Sequence, residues 1–247
     1  TSNRFCAAPV QWSRKQVSDG ELKAVILNSG GANACTGEEG YQQTVRTAEA
    51  VALMMHVEPS EIAVCSTGLI GELLPLDKVI EGAQKAFDSL DSSAQAGGDA
   101  AHAIMTTDTK PKTVNRLGSN EFRIGGMVKG SGMIAPQLAT MLCVITTDAV
   151  VSAGLLLEAL KADVEDTYNM ISVDGDTSTN DTVLLLASGA SGITPDPDEF
   201  NGLVADCCSS LARQIIGDGE GASHDIRIRV TGATSEDAAL ACGRAVA

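Results

Sequence analysis

The chain has 247 residues, 44% of them hydrophobic, which is enough for one large domain or two small ones with an ample core. Its 32 acidic against 17 basic residues give a formal charge of -15, which works against extended contact with nucleic acid phosphates or anionic lipid and leaves a small molecule as the expected ligand. No apolar run reaches the roughly 18 to 20 residues that span a bilayer, and the opening TSNRFCAAPVQWSRK has no signal-peptide pattern, so a soluble, cytoplasmic protein without a membrane partner is expected.

In chain order, KAVILN (Lys23 to Asn28) reads as a short buried strand that runs into the Gly- and Asn-rich loop SGGANACTG. From Gln42 to Met55, Val45, Ala48, Val51, Ala52 and Met55 recur at helical spacing. EIAVCS (Glu61 to Ser66) is a second strand, ending at Thr67 and Gly68. A strand that ends in Thr-Gly presents a hydroxyl and a backbone N–H together, the equipment of an oxyanion site and equally of an ordinary turn. Pro75 starts a helix with Val79, Ile80, Ala83, Phe87 and Leu90 on one face, and SSAQAGGD (Ser92 to Asp99) is expected to be a flexible connection.

Phe122 to Val128 is a further strand, leading into KGSGMIAPQLATMLCVITTD (Lys129 to Asp148). There a glycine turn and Pro136 precede Ala139 and Thr140, which stand at the mouth of the apolar, β-branched run Met141 to Thr147. A threonine hydroxyl is a weak nucleophile without a base. The nearest base is the threonine's own α-amino group, which exists only once the Ala139–Thr140 bond is cut. Ser152 to Tyr168 is an amphipathic helix, DGDTSTND (174–181) precedes the buried strand Thr182 to Ala187, and Phe200 to Ile215 forms another helix closed by the loop GDGEGAS. DIRIRV (Asp225 to Val230) alternates as a strand with one solvated face, and Ser235 caps a last helix.

The order of elements implies an α/β, α+β layered fold of mixed or antiparallel sheets covered by helices, without repeats. The seven cysteines form no C-x-x-C pair and read as buried, reduced thiols, while three histidines at no zinc-type spacing give no metal site. Gly130, Gly132 and Ala135 satisfy G-x-G-x-x-A, but Pro136 follows where a dinucleotide-binding helix would be under way. DGDTSTND begins like a calcium loop, yet Thr179 and Leu185 occupy the positions that need Gly and an acid. No G-x-S-x-G elbow is present, which leaves Thr140 as the best nucleophile.

The motifs NSGGANACT (28–36), STGLIG (66–71), MTTD (105–108), Lys129 to Asp148, DGDTSTNDTVLLL (174–186) and GEGA (219–222), in that order, closely resemble those of the glutamate N-acetyltransferases, also called ornithine acetyltransferases, of arginine biosynthesis. The resemblance implies an N-terminal-nucleophile-like fold of the DmpA/ornithine acetyltransferase type. It also implies a single core, 1–247, that cuts itself into 1–139 (α chain) and 140–247 (the start of the β chain) and assembles as an α/β heterodimer and then an oligomer. Thr140 would be the nucleophile, Thr67 and Gly68 the oxyanion hole, and Thr106, Lys129, Thr140 and Glu220 the substrate-binding residues. The acetyl group would pass from N2-acetylornithine to glutamate by ping-pong chemistry, with no metal or cofactor and with acetyl-CoA only as an alternative donor. An amidase or aminopeptidase using water as acceptor, or an inactive binding remnant, are the alternatives. Family members begin before this Thr1 and continue beyond Ala247 into a segment that supplies an asparagine and a hydroxyl residue to the substrate site. That segment is expected to be absent from these 247 residues, leaving the pocket open on one side.

Overall fold

A computed structural model describes residues 1, 3–134 and 141–247. Its elements are helix α1 (Ala8–Gln16), strand β1 (Ala24–Gly31), α2 (Gly37–Met55), β2 (Ile62–Leu69), α3 (Leu76–Asp88), α4 (Ala94–Ala103), β3 (Lys112–Leu117), β4 (Arg123–Lys129), β5 (Leu142–Thr147), α5 (Ala153–Asp166), β6 (Thr182–Ala187), α6 (Pro197–Ile216) and α7 (Glu236–Val246). β1 and β2 form a parallel pair. The second sheet has the order β3-β4-β5-β6, antiparallel between its first three strands and parallel between β5 and β6. The mixed sheets expected from the sequence are therefore present, with α2 and α5 falling between the strands of the two parallel pairs.

Strand alternation stacks these sheets face to face. In β2, Ile62 and Val64 pack outward with Trp12, Ala48, Val51, Ala52 and Ala83, while Ala63 and Cys65 face the other way onto Leu142 and Leu184 of the second sheet. In β6, Leu184 and Leu186 take part in that inter-sheet layer, and Val183 and Leu185 join Cys143, Ile145, Phe200, Val204 and Leu211 on the opposite face. The period of two thus sorts residues into two apolar layers per strand, and helices cover both outer faces. The outer edge of β2 is closed by side chains of α1: Trp12 Nε1 donates to the Ile62 carbonyl at 2.9 Å, and Ser13 Oγ both donates to the Val64 carbonyl (2.7 Å) and accepts its N–H (2.8 Å). Those contacts satisfy backbone groups that a two-stranded sheet would otherwise leave unpaired.

Three expectations are corrected. Residues 94–103 form helix α4 rather than a flexible connection: Ser93 accepts the Ala96 N–H as its N-cap, and the alanines outweigh the helix-weakening pair Gly97–Gly98. DIRIRV is not a strand. No ladder partner reaches it among the described residues, and Ile226 is 84% exposed. β2 runs on through Thr67 and Gly68 to Leu69 instead of stopping at Thr67. Helix α1, which packs Trp12 into the core, was not anticipated. All seven cysteines are free, and Cys65, Cys143, Cys207 and Cys208 are buried. Burial pushes the Cys65 and Cys143 thiols up to about 12, which keeps them inert.

Candidate active site

The alternation that builds the sandwich also decides where Lys129 points. In β4, Val128 belongs to the helix-side core, so its neighbour Lys129 faces the inter-sheet layer, as does its register partner Leu142 on β5. Thr67, two residues beyond Cys65, faces the same layer from β2. Lys129 Nζ meets it there, donating to Thr67 Oγ1 at 3.2 Å and to Thr106 Oγ1 at 2.8 Å. Lys129 is 2% exposed and Thr67 1%, while Thr106 lies at the surface, so the ammonium opens to solvent through Thr106. Thr67 Oγ1 accepts from Lys129, and its own hydrogen has no acceptor among the described residues.

Asp108 fixes this arrangement. Its Oδ1 accepts the Gly130 N–H at 2.7 Å and the Lys112 ammonium at 2.6 Å, its Oδ2 accepts the Thr106 N–H at 3.1 Å, and Lys129 Nζ lies 3.8 Å from Oδ2. Burial opposes the Asp108 charge, but these donors together hold the carboxyl below the usual aspartate range. Burial pushes the Lys129 ammonium below the usual lysine range, with Asp108 opposing that shift and Lys112 adding to it. Lys112, one strand away, is compensated more closely: Asp218 Oδ2 sits 2.5 Å from its Nζ and also accepts the Thr109 N–H at 3.0 Å.

Gly68 continues β2 beside Thr67 at φ +128°, and a Cβ there would lie 2.3 Å from the Gly30 carbonyl carbon, so only glycine fits. Glu220 approaches from the loop after α6. Its N–H donates to the Ser131 carbonyl at 2.6 Å, and its Oε2 stands 2.8 Å from where a Cβ on Gly132 would be, so that glycine makes room for the carboxylate. Thr67, Thr106 and Lys129 are thereby joined through one ammonium, Gly68 follows Thr67 on β2, and Glu220 stands at Ser131 and Gly132 just beyond β4. Ala139 and Thr140 lie outside the described residues.

DGDTSTND grips both flanks of that segment. Asp174 accepts the Met133 N–H on Oδ2 at 2.5 Å and the Ile134 N–H on Oδ1 at 2.8 Å, holding Met133 at φ +54°, a conformation that costs a non-glycine residue roughly 1–2 kcal/mol. Asp181 Oδ1 accepts the Met141 N–H at 3.0 Å. Asn180 ties the two sheets, donating to the Ala32 and Ser66 carbonyls at 2.6 and 2.8 Å. The motif thus braces the backbone on both sides of residues 135–140. Reading residues alone did not find Asp108, Lys112 and Asp218. The available signal was Asp108 and Lys112 four apart, an acid and a base without an amphipathic pattern to place them at the surface. Two surface cavities of about 360 and 390 Å³ are lined by other residues, among them Arg4, Cys35 and Tyr41 in the first and Lys110, Arg116 and Arg213 in the second.

Two sheets stacked between helices, one parallel pair and one mixed sheet, define a layered α/β fold of the ornithine acetyltransferase type. The ArgJ family model matches residues 1–247, and the chain belongs to that family. It is 75% identical over 247 residues to the arginine biosynthesis bifunctional protein ArgJ of Bifidobacterium longum and 50% identical over 252 residues to that of Mycobacterium leprae; all of this chain aligns in both cases, spanning 63% and 62% of those proteins' lengths. Among solved structures it is similar to the ornithine acetyltransferase of Mycobacterium tuberculosis, solved with ornithine bound, at 46% identity and a TM-score of 0.55 over 57% of this chain and 75% of that one. No helix among the described residues is long and apolar enough to cross a membrane.

Proposed function

We propose that this chain is the core of an acetyltransferase of arginine biosynthesis, moving the acetyl group from N2-acetylornithine to glutamate through an acetyl-Thr140 ester after cleavage between Ala139 and Thr140. The observation that carries this reading is the buried Lys129 ammonium, hydrogen-bonded to Thr67 and Thr106 at the entrance to the segment that contains Thr140. Thr140 attacks the acetyl carbonyl while its α-amine, which titrates near 7.7 to 8 when unperturbed, accepts the hydroxyl proton. The hydroxyl hydrogen of Thr67 and the backbone at Gly68 receive the developing oxyanion. Ornithine departs with that proton, glutamate enters, and its amine takes the acetyl group from the ester.

The family's substrates are zwitterions, and the site offers each of their charges a partner. Lys129, with Thr106 beside it, suits a carboxylate, and Glu220, exposed above Gly132, suits an ammonium. The chemistry calls for no metal or cofactor, acetyl-CoA entering only as an alternative donor. The mature protein would be an α/β heterodimer of 1–139 and the chain starting at Thr140, further assembled as an oligomer in the cytoplasm. Labelled N2-acetylornithine supplied to the full-length protein with and without glutamate tests the reading. Labelled N-acetylglutamate with parallel ping-pong kinetics is expected. Release of labelled acetate at the same rate with or without glutamate would make the protein a hydrolase instead.

A further inference from the structure

Strand β3 is the outer strand of its sheet among the described residues, and α6 runs alongside its edge. The Gln214 side chain closes that edge, accepting the Thr113 N–H at 3.2 Å and donating to the Thr113 carbonyl at 3.0 Å. Around this contact lies a groove holding the cavity of about 390 Å³. Asp206, Ser210, Arg213, Gln214 and Gly217 follow at intervals of three or four, which sets them in one stripe along α6 and its C-cap. The stripe is about 16 Å long. Arg116 faces it from β3, and Lys110 from the loop before β3.

Three of the chain's 17 basic residues therefore line one groove against a single carboxylate, in a chain with 32 acidic residues. Like charges gathered in a concavity focus a positive potential there. Asp206 does not cancel it. It accepts from Arg116 Nε, and one more Arg116 N–H goes to the Asn115 carbonyl at 2.8 Å, two of the five donors a guanidinium carries. The last carbonyls of α6 would oppose an anion, but those of Arg213, Ile215 and Ile216 accept the N–H groups of Gly217, Asp218 and Gly219 at 2.9, 3.0 and 3.2 Å. No aromatic or apolar side chain lines the cavity among the described residues, so it offers nothing on which a base or an acyl chain would pack.

We infer that this groove binds a small molecule carrying several phosphate groups, held by Lys110, Arg116 and Arg213 with the Ser210 hydroxyl as a further donor. Guanidinium forks match pairs of phosphate oxygens, and Lys110 adds a point charge. Cations spread along a groove suit phosphates spaced along a ligand better than one isolated phosphate. A free polyphosphate and the phosphate end of a nucleotide share this chemistry. The groove adjoins the charge unit behind Lys129: Lys110 and Gly217 are each next to one partner of the Thr109–Asp218 contact, and Asp218 also holds Lys112.

Calorimetric titration of the full-length protein with inorganic tripolyphosphate, without magnesium and at low ionic strength, tests the site. One tripolyphosphate per chain is expected, bound on the order of 10–100-fold more tightly than orthophosphate. Lys110→Gln and Arg213→Gln should each weaken it by about tenfold or more. Both side chains are exposed, so neither change disturbs the core, and unfolding midpoints verify this. Lys78→Gln, an exposed charge on α3, should leave the affinity unchanged. Asp206→Asn removes the groove's carboxylate and should tighten binding, a gain that misfolding does not produce. ATP that binds within a few-fold of tripolyphosphate places a nucleotide's phosphates among the ligands, and ATP that fails to compete restricts the groove to free polyphosphate. Tripolyphosphate that does not saturate the protein, or that is weakened equally by Lys78→Gln and the two groove variants, would overturn the inference.

Discussion

Lys112 and Lys129 sit on adjacent strands of one sheet, both buried, yet they face opposite sides and live in opposite surroundings. Lys112 points to the helix-covered face, where Asp108 and Asp218 hold its ammonium at 2.6 and 2.5 Å. Lys129 points between the sheets toward two hydroxyls, with its nearest carboxylate 3.8 Å away and already engaged by Lys112, Gly130 and Thr106. The first lysine is neutralised, so it serves the fold. The second has no carboxylate as close, so its buried charge is the costlier of the two, which is what the proposed binding of a substrate carboxylate would relieve. The shared Asp108 makes the two sites one unit, with close charge pairing on one face helping to position the second ammonium on the other.

The comparison breaks most visibly at Lys112. Lys112→Met leaves Asp108 and Asp218 buried without their closest cation and should cost about 3–5 kcal/mol of stability in denaturant unfolding. Lys129→Met should behave in the reverse manner: stability shifts by no more than about 1 kcal/mol, while kcat/KM for acetyl transfer falls on the order of 10²–10³-fold. If both substitutions destabilise equally, the division between a structural and a functional lysine fails.

The pH dependence sharpens the same contrast with a smaller effect. Asp108 has a lowered folded pKa, so its stabilisation is complete above the ordinary aspartate range and is lost as acid carries the pH down through the folded value. Lys129, also lowered, gives a slope of the same sign in the alkaline range, but there it is a penalty of burying the charge that is relieved. Between its folded pKa and the ordinary lysine range the unfolded chain binds more protons, so stability rises with pH there. Asp108→Asn should cost about 1.5–3 kcal/mol near neutrality and flatten the acid side of the stability profile. Lys129→Met should flatten only the alkaline rise. Urea midpoints measured across pH separate the two.

The sandwich was legible where alternation is strong. In β2 and β6 both faces carry apolar residues at period two, and the structure uses both. Alternation failed for DIRIRV because a strand is a property of a pair, and residues 225–230 have no ladder partner among the described residues. Helix α4 was missed because two glycines outweighed its alanines in a local reading, whereas the Ser93 cap decides the matter in the folded chain. Lys112 was illegible for a different reason. Nothing local in KTVNRL reveals that an aspartate 106 positions later comes to bury its first residue. Thr67, Thr106 and Lys129 were named through family resemblance and do meet; that they meet through one ammonium required coordinates.

The most direct test of the account is the mass of the full-length protein under denaturing conditions, before and after incubation with N2-acetylornithine. Two polypeptides divided between Ala139 and Thr140 are expected, with one acetyl group added to the N-terminal peptide of the second and a single uncut chain for Thr140→Ala. A wild-type chain that stays whole, or whose acetyl group is found on another residue while transfer to glutamate proceeds, would contradict it.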